Sequence, residues 1–261
     1  MSLPALAAGT TLDAFHRGGF HLVQPARRGH RAGTDAMMLA AAVPGGFAGR
    51  LADLGAGAGA AGLAVASRCK GARVVLVERD AEMARHAQAS IGHALNAHLG
   101  ARAEVIVADV TAAGRTRAAA GLQDRACDFA IMHPPFNAAA DRSSPDELRR
   151  SAHVMEDDLF ERWIRTAAAI VRPRGGLAVI ARPASLAAIL DAIKGRFGDA
   201  RIVPVLPRPG EAAIRIVIRA VRASRAPLSL MPALVVHDEE GEGFSARAEA
   251  INNGRASLFG D

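Results

Sequence analysis

The sequence contains few cysteines, few lysines and no long uninterrupted apolar segment. Its two cysteines, Cys69 and Cys127, show no paired metal-ligand spacing, so we expect buried, reduced cysteines, no metal site and a cytoplasmic protein. The N-terminus lacks a basic segment before an apolar stretch, and Gly, Pro and Asp interrupt the alanine-rich runs. The sequence therefore predicts neither an export signal nor a membrane span.

Lysine is the second scarce residue type. Only Lys70 and Lys194 are lysines among 32 basic residues, and the formal net charge is +6. A positive field attracts polyanions, which favours a nucleic-acid partner. Because the excess of arginine and alanine is also typical of coding bias, and because scattered arginines usually form a solvated face, the net charge alone leaves both interpretations open.

Apolar segments of strand length alternate with segments of helix length. Apolar residues make up 50% of the chain and charged residues 22%, as in an ordinary globular protein. The alternation predicts a Rossmann-like α/β fold, with a mostly parallel seven-stranded sheet and helices on both faces. The seven predicted strands cover residues 51–54, 74–77, 105–107, 129–132, 177–181, 201–206 and 214–219.

The pattern divides the chain into three regions. Residues 1–32 are predicted to form an N-terminal arm with a hairpin that turns at Pro25–Gly29, because Pro and Gly cluster there. Residues 33–225 form the main domain. Residues 226–261, where the alternation breaks down, are predicted to be a C-terminal appendage.

Three helices and one loop of the main domain are expected beside the strands. Thr34 or Asp35 is expected to cap the first helix, and further helices are predicted at residues 159–171 and 185–197. The polar segment 137–158 has no clear period and suits a flexible lid that orders on substrate binding.

Three glycines follow the first strand of the main domain. Gly55, Gly57 and Gly59 would let the backbone approach a ligand and direct the amides of the next helix toward it, as in many nucleotide-binding turns. In a chain rich in alanine and glycine, the same residues could serve close packing of a helix on a strand without any ligand. The residues around the turn decide between these interpretations.

An acidic residue lies at or next to the end of each of the first three strands. Asp53 precedes the glycines, Glu78 could accept hydrogen bonds from both ribose hydroxyls, and Asp109 could accept one from an adenine amino group. A nicotinamide dinucleotide would bring its anionic pyrophosphate next to Asp53, which is unfavourable. S-adenosylmethionine carries a cationic sulfonium and ammonium and no phosphate, so it is the predicted cofactor.

The segment His133-Pro134-Pro135-Phe136 follows the fourth strand and is the predicted catalytic segment. Its prolines fix the backbone and remove two N–H donors, which leaves carbonyl groups free to accept hydrogen bonds. The ring of Phe136 offers a face for stacking on a planar base. Acceptors for both N–H groups of an exocyclic amine would hold its nitrogen in line with a methyl donor and stabilise its developing positive charge.

The glycine turn followed by a Pro-Pro-aromatic tetrapeptide resembles class I S-adenosylmethionine-dependent amino methyltransferases. In that family the first residue of the tetrapeptide is usually Asn, Asp or Ser, whereas here it is His133. A neutral imidazole has one acceptor nitrogen and could substitute, whereas a protonated imidazole has none. We therefore expect His133→Asn to keep or raise activity; the alternative is a protein that binds the cofactor without turnover.

A narrower resemblance covers nearly the whole chain. Gly33-Thr34-Asp35 with the apolar residues after it, the Pro-Pro-Phe segment, and Arg215–Leu230 with Ser224-Arg225-Ala226-Pro227-Leu228 resemble the tRNA adenine-N6 methyltransferases that modify a valine tRNA. The resemblance implies an antiparallel last strand and places Gly33, Thr34 and Asp35 over the cofactor. Enzymes that methylate guanine N2 of ribosomal RNA or a glutamine side chain of release factors share the tetrapeptide and stay alternatives.

Phosphate-binding residues for an RNA substrate are expected among the arginines of the arm and of the loop after Phe136. Both segments should lie near the edge at which the parallel strands end, so their guanidinium groups could reach phosphates. Solvated loop arginines are the alternative. The candidates are Arg27, Arg28, Arg31, Arg142, Arg149 and Arg150.

Overall fold

The computed structural model of the protein describes residues 7–26, 32–134, 147–239, 241 and 243–261, without the side chains of residues 147–157. The strands are β1 (Thr10–Phe15), β2 (Phe20–Pro25), β3 (Ala48–Leu54), β4 (Gly71–Glu78), β5 (Ala103–Val107), β6 (Cys127–Met132), β7 (Val171–Ala181), β8 (Phe197–Leu206), β9 (Arg215–Arg222), β10 (Ser229–Leu230) and β11 (Leu234–Val235). The helices are α1 (Thr34–Ala41), α2 (Ala60–Arg68), α3 (Ala81–Gly92), α4 (Ala97–Gly100), α5 (Gly114–Ala119), α6 (Glu147–Ile170), α7 (Leu186–Ile193) and α8 (Ala246–Asn252).

A mainly parallel sheet forms the centre of the molecule. Its principal strands lie in the order β5-β4-β3-β6-β7-β9-β8, and only β9 among these runs antiparallel to its neighbours. The seven predicted strands and the antiparallel last strand are thereby confirmed. Two short strands that the sequence did not predict, β10 and β11, extend the sheet beyond β8.

Helices cover both faces of the sheet because its central strands are apolar on both sides. Along β3, Leu51 belongs to the core that includes residues of α1, α2 and α3. Ala52 and Leu54 belong to the core on the opposite face, together with residues of α6 and α7. The predicted arrangement of helices on both faces is therefore confirmed.

The N-terminal hairpin consists of β1 and β2 and turns at His16–Gly19, not at Pro25–Gly29 as predicted. Gly18 has a φ of +86°, so the turn uses a left-handed residue that the sequence pattern did not single out. Phe20 and Leu22 of β2 are completely buried in the core beside α3. The hairpin is thus packed against the main domain.

The C-terminal segment also packs onto the main domain. Ile251 of α8 and Leu258 are buried in the same core as the hairpin. The guanidinium group of Arg219 on β9 donates two hydrogen bonds, of 2.8 and 2.6 Å, to the carboxylate of Asp261. A bidentate pair of this kind fixes both the distance and the orientation of the segment.

Two predicted element boundaries are wrong. Helix α6 already begins at Glu147, so residues 147–158 of the predicted lid are helical, and residues 137–146 lie outside the described residues. The many charged residues of this stretch weaken the apolar period by which a helix is recognised. Helix α7 ends at Ile193, before the predicted Phe197, because Phe197 opens β8. None of the described helices is both long and apolar enough to cross a membrane.

The two cysteines lie in the interior, as expected. Cys69 is the residue after α2, and Cys127 is the first residue of β6; both are free thiols. Burial raises the pKa of Cys127 to about 11. Because the thiolate is the reactive form, this cysteine is almost entirely in its unreactive thiol form at neutral pH.

Candidate active site

The register of the parallel strands brings the predicted site residues to one edge of the sheet. Leu54 of β3 pairs with Met132 of β6, so the glycine turn and His133 leave the sheet side by side. Leu54 also pairs with Val77 of β4, which places Glu78 on the other side of the turn. We call this the carboxyl edge, because the parallel strands end there.

The glycine turn, residues 55–59, is held against β4 by two hydrogen bonds. The backbone N–H groups of Gly55 and Ala56 both donate to the carbonyl oxygen of Val77, over 2.8 and 2.9 Å. Gly55 and Gly57 have φ angles of +74° and +57°, in the left-handed region that a Cβ disfavours. The backbone conformation is therefore by itself a sufficient reason for glycine at Gly55 and Gly57.

Packing distinguishes the glycines of the turn from one another. A Cβ at Gly55 would lie 2.4 Å from Cη2 of Trp163 on α6, and one at Gly59 would lie 2.6 Å from Cδ1 of Leu76. At Gly57 the nearest atom would be Cε of Met83, at 3.8 Å. Close packing thus explains Gly55 and Gly59, whereas the open side of Gly57 is where a ligand could approach.

Glu78 is fixed at the mouth of the turn. Its Oε2 accepts a hydrogen bond of 2.8 Å from the backbone N–H of Gly57, and its Oε1 accepts one of 2.8 Å from the backbone N–H of Asp80. The residue is half-buried. The carboxylate therefore lies at the end of β4, next to the open side of Gly57.

Asp109 lies just beyond β5, at the third strand end, and is exposed. Its Oδ1 accepts hydrogen bonds of 2.7 Å from both the hydroxyl and the backbone N–H of Thr111. These bonds, the hydroxyl first, lower the pKa of Asp109 below its usual value. The carboxylate is therefore ionised at neutral pH and accessible to a ligand.

Asp53 lies beneath the turn rather than in the open crevice. It is only 3% exposed, and its Oδ2 accepts a hydrogen bond of 2.8 Å from the backbone N–H of Gly62 on α2. Burial, and to a lesser degree the negative charge of Glu78, raises the pKa of Asp53 to about 7. Any effect of Asp53 on a cationic ligand thus acts through the electrostatic field and depends on pH.

Asp35 links the start of α1 to the end of β6. Its Oδ2 lies 3.6 Å from Nε2 of His133 and accepts a hydrogen bond of 2.8 Å from Nε of Arg215, the first residue of β9. Gly33, and not Thr34 or Asp35, is the N-cap of α1, and no side chain caps this end. The predicted capping role is wrong because Arg215 engages the carboxylate instead.

The sequence also matches a known protein family. Residues 30–204, well over half of the chain, match the methyltransferase small domain family. The chain belongs to this family. The family match and the sheet order together confirm the predicted class I methyltransferase fold.

Solved structures of other methyltransferases resemble this one. A predicted O-methyltransferase from Agrobacterium tumefaciens is 42% identical and has a TM-score of 0.75; the match covers 86% of this chain and 98% of that one. A 16S rRNA N2-guanine methyltransferase from T. thermophilus, in complex with AdoMet and guanosine, is 20% identical over 84% of this chain and 52% of that one, with a TM-score of 0.54. The second likeness supports the fold alone. No curated protein matches the sequence.

The carboxyl edge of this methyltransferase fits S-adenosylmethionine, the predicted cofactor. A Cβ at Gly57 would meet no atom nearer than 3.8 Å, and Glu78 and Asp109 lie at the ends of the neighbouring strands β4 and β5. Acceptors of this kind suit ribose hydroxyls and an adenine amine. Membership of the methyltransferase small domain family supports the same cofactor.

Two residues of the site were not predicted from the sequence. Arg215 was expected in a strand and in the segment that resembles the tRNA enzymes, but not as a site residue, although it reaches Asp35 at the carboxyl edge. Trp163, the only tryptophan of the chain, packs on Gly55, and its indole N–H is buried without a hydrogen-bond partner among the described residues. The only feature of the sequence that could have drawn attention to Trp163 is that the chain has no other tryptophan.

Several predicted site residues lie outside the described part of the chain. His133 and Pro134 are described, whereas Pro135 and Phe136 are not. The proposed phosphate contacts stay predictions for the same reason. Arg27, Arg28, Arg31 and Arg142 lie outside the described residues, and Arg149 and Arg150 belong to α6 without described side chains.

Proposed function

We propose that this protein transfers a methyl group from S-adenosylmethionine to an exocyclic amine, namely N6 of an adenine in a tRNA. The observation that carries the proposal is the pairing of Leu54 with Met132, which sets the cofactor turn beside His133-Pro134. A methyl donor at the turn and an acceptor held at His133 would then be neighbours. Proximity and alignment supply much of the rate enhancement in transfers of this kind.

The bound cofactor would supply an electrophilic methyl group on a cationic sulfur, with S-adenosylhomocysteine as the leaving product. Glu78 and Asp109 would orient its adenosine part through hydrogen bonds. The buried carboxyl of Asp53 would favour its positive charge whenever that carboxyl is ionised. Each of these residues lies at or next to the end of one of three adjacent strands, so a single rigid edge would position the whole donor.

The end of β6 suits an amine as the acceptor group. Pro134 has no N–H, so the segment presents carbonyl oxygens and the His133 imidazole as hydrogen-bond acceptors. Two acceptors match the two hydrogens of an exocyclic amine and aim its nitrogen lone pair at the methyl carbon. They also stabilise the positive charge on the nitrogen before it releases a proton.

A tRNA is the substrate that the sequence supports best. The resemblance of Gly33-Thr34-Asp35 and Arg215–Leu230 to the adenine-N6 enzymes spans nearly the whole chain, and the net charge of +6 favours a polyanion. Guanine N2 in ribosomal RNA and a glutamine side chain are the rival amines. The Agrobacterium relative is named a predicted O-methyltransferase, so a hydroxyl acceptor is a further outcome to test.

Transfer of tritiated methyl from S-adenosylmethionine tests the proposal directly. Total tRNA, ribosomal RNA and a protein extract are offered separately, and labelled nucleosides are identified after digestion. We expect label in tRNA as N6-methyladenine. Label in guanine, in protein or in a methylated hydroxyl would overturn the proposed acceptor, and cofactor binding without any label would identify a protein without turnover.

A further inference from the structure

A cleft lies at the edge of the sheet where the parallel strands begin, at the opposite end of the strands from the carboxyl edge. We call it the amino-edge cleft. Its volume is about 640 Å³, and ligand-binding clefts typically measure about 300–1,000 Å³. We propose that the amino-edge cleft is a second binding site, which takes a phosphate group. The charged residues that line it are Arg50, Arg73, Arg102, Glu104 and Asp128.

The three arginines of the cleft lie side by side across three adjacent segments. Arg50 of β3 pairs in register with Arg73 of β4. Arg102 comes just before β5, and its carbonyl oxygen accepts a hydrogen bond of 2.7 Å from the backbone N–H of Val74. The register thus gathers three positive charges in one cleft, where they repel each other. An anion bound among them would relieve that repulsion.

The two carboxylates of the cleft are already paired. Oε1 of Glu104 accepts a hydrogen bond of 2.8 Å from Nη2 of Arg50. Oδ1 of Asp128 lies 2.5 Å from Nε of Arg172, and its Oδ2 accepts a hydrogen bond of 2.7 Å from the backbone N–H of Arg50. Each acid therefore has its own arginine, and neither is left to neutralise the rest of the row.

Arg73 and Arg102 keep positive charges that no carboxylate compensates. Arg73 is exposed, and within the described part of the chain its side chain makes no hydrogen bond or ion pair. Nη1 of Arg102 donates to three uncharged carbonyl oxygens over 2.9, 3.2 and 3.1 Å, those of Ala66, Cys69 and Ala72. Two such guanidinium groups in one cleft suit a phosphate, which accepts several charge-assisted hydrogen bonds at once.

Two sources would supply such a phosphate group: the backbone of an RNA, or a free nucleotide or phosphate ion. Arg50 and Leu54 are four residues apart on β3, which is about 13 Å at the usual rise of a strand. A folded RNA is larger than this separation, so one molecule can contact both edges of the sheet. The RNA source rests on the proposed function, whereas the phosphate site itself does not.

Arg73→Gln is the first test, because this side chain has no described partner to lose. Binding of labelled total tRNA to the full chain is measured by filter retention between about 50 and 200 mM salt. We expect the Kd at the lowest salt to rise about fivefold, and the slope of log K against log salt to fall by about 0.7–0.9, as for the loss of one phosphate contact.

Glu104→Gln makes the opposite change. It removes the anion that competes for Arg50, so it should tighten tRNA binding about two- to threefold, a gain that damage to the fold would not produce. The matched control is Arg255→Gln. Arg255 is exposed, its side chain has no hydrogen bond or ion pair among the described residues, and it does not line the cleft. This variant should change the Kd by about twofold at most.

Titration calorimetry with inorganic phosphate and with adenosine monophosphate tests the free source. A loss of tRNA affinity in Arg73→Gln without binding of either small ligand supports the site and identifies RNA. Binding of a small ligand that weakens about tenfold in Arg73→Gln, with unchanged tRNA affinity, supports the site with a free ligand.

Equal behaviour of Arg73→Gln and Arg255→Gln towards tRNA and both small ligands would overturn the proposal, since any effect would then come from the net charge alone. These are binding measurements, so the two proposals of this protein fail separately. Methyl transfer to tRNA with equal affinities in the two variants would refute only the phosphate site. Binding that depends on Arg73 without methyl transfer would refute only the proposed function.

Discussion

The backbone N–H of Gly62 donates a hydrogen bond of 2.8 Å to Oδ2 of Asp53, which places a carboxyl group directly beneath the glycine turn. This acid is buried, whereas Glu78 and Asp109 at the neighbouring strand ends reach the open crevice. The three acids therefore divide into one that supports the turn and two that can touch a ligand. The protonation of the buried one links stability to pH.

Asp53→Asn should make the free energy of unfolding less dependent on pH. Burial raises the pKa of Asp53 to about 7, whereas the ordinary value is 3.8. Between these values the folded chain holds a proton that the unfolded chain has lost, so stability falls as pH rises, by up to about 1.4 kcal/mol per pH unit. The variant should match or exceed the wild type in urea unfolding at pH 8.

Asp109→Asn is the control for this experiment. Its carboxyl is exposed and its pKa is lowered, so it is ionised throughout the range from pH 5 to 8 and should leave the slope there unchanged. If Asp53→Asn keeps the wild-type slope over that range, Asp53 is ionised throughout, and its buried charge must be compensated by a group other than Gly62.

Gly55→Ala and Gly57→Ala should affect different properties. At Gly55 the added methyl group meets the ring of Trp163 and the backbone is left-handed, so the loss of stability should reach about 2–4 kcal/mol. At Gly57 only the backbone strain applies, at about 1–2 kcal/mol, but the methyl group enters the proposed cofactor space. Urea unfolding and titration calorimetry with S-adenosylmethionine measure the two effects.

The contrast between the glycines is the informative result. Gly57→Ala should weaken cofactor binding by about tenfold or more while it unfolds at a higher urea concentration than Gly55→Ala. Equal stability losses would mean that Trp163 moves aside without cost. Unchanged cofactor affinity in Gly57→Ala would place the ligand elsewhere along the carboxyl edge.

His133→Asn should keep or raise methyl transfer and change its dependence on pH. An amide oxygen accepts a hydrogen bond at every pH, whereas an imidazolium cannot. The wild-type kcat should therefore fall as the pH is lowered toward 6, and that of the variant should stay level. Initial rates at saturating RNA and cofactor provide the measurement; a wild-type rate that is equally insensitive to acid would argue against an acceptor role.

Asp261→Asn should destabilise the protein by about 1–3 kcal/mol at neutral pH. The change weakens a bidentate pair with Arg219, whose side chain is only 10% exposed, and leaves a largely buried guanidinium without its anion. Hydrogen bonds from Arg219 lower the pKa of Asp261, so this contribution is present above the ordinary carboxyl pKa and should be lost as the pH falls through the lowered pKa of the folded protein.

A longer ion pair with a more exposed arginine provides the comparison for Asp261. Arg201 lies 3.3 Å from Asp199, with side chains 40% and 28% exposed, so Asp199→Asn should cost less than about 1 kcal/mol. Both variants are compared by urea unfolding at pH 7 and at pH 3. A loss of stability as small for Asp261→Asn as for Asp199→Asn would show that the C-terminal segment is held by its apolar contacts and backbone hydrogen bonds.

Regular features of the fold could be predicted from the sequence because local pattern determines them. The strand that ends in Asp53-Leu54 and the strand that ends before His133 are apolar, short and followed by turn residues, and both end where predicted. The hairpin was misplaced although its turn, His16–Gly19, also contains two glycines, Gly18 and Gly19. Glycine and proline at Pro25–Gly29 were the stronger but misleading signal.

The site residues at the ends of parallel strands were predicted from the sequence. The site residues that come from an antiparallel strand or from a helix were not. Glu78 ends β4 and Asp109 follows β5, and both strands run toward the carboxyl edge, so sequence order alone places them there. Arg215 begins β9, which runs the opposite way, so its first residue rather than its last lies at that edge. Trp163 reaches the turn from α6 by packing between layers, and no sequence period encodes such a contact.

Because Leu54 pairs with Met132, the complete site forms only when the chain between these two residues has folded. The chain between these residues forms α2, β4, α3, α4, β5 and α5, so the two halves of the site meet only after several crossovers have closed. Closure of such long loops is slow and cooperative. A partly folded chain therefore lacks the complete site, and a ligand that contacts both parts stabilises the native state.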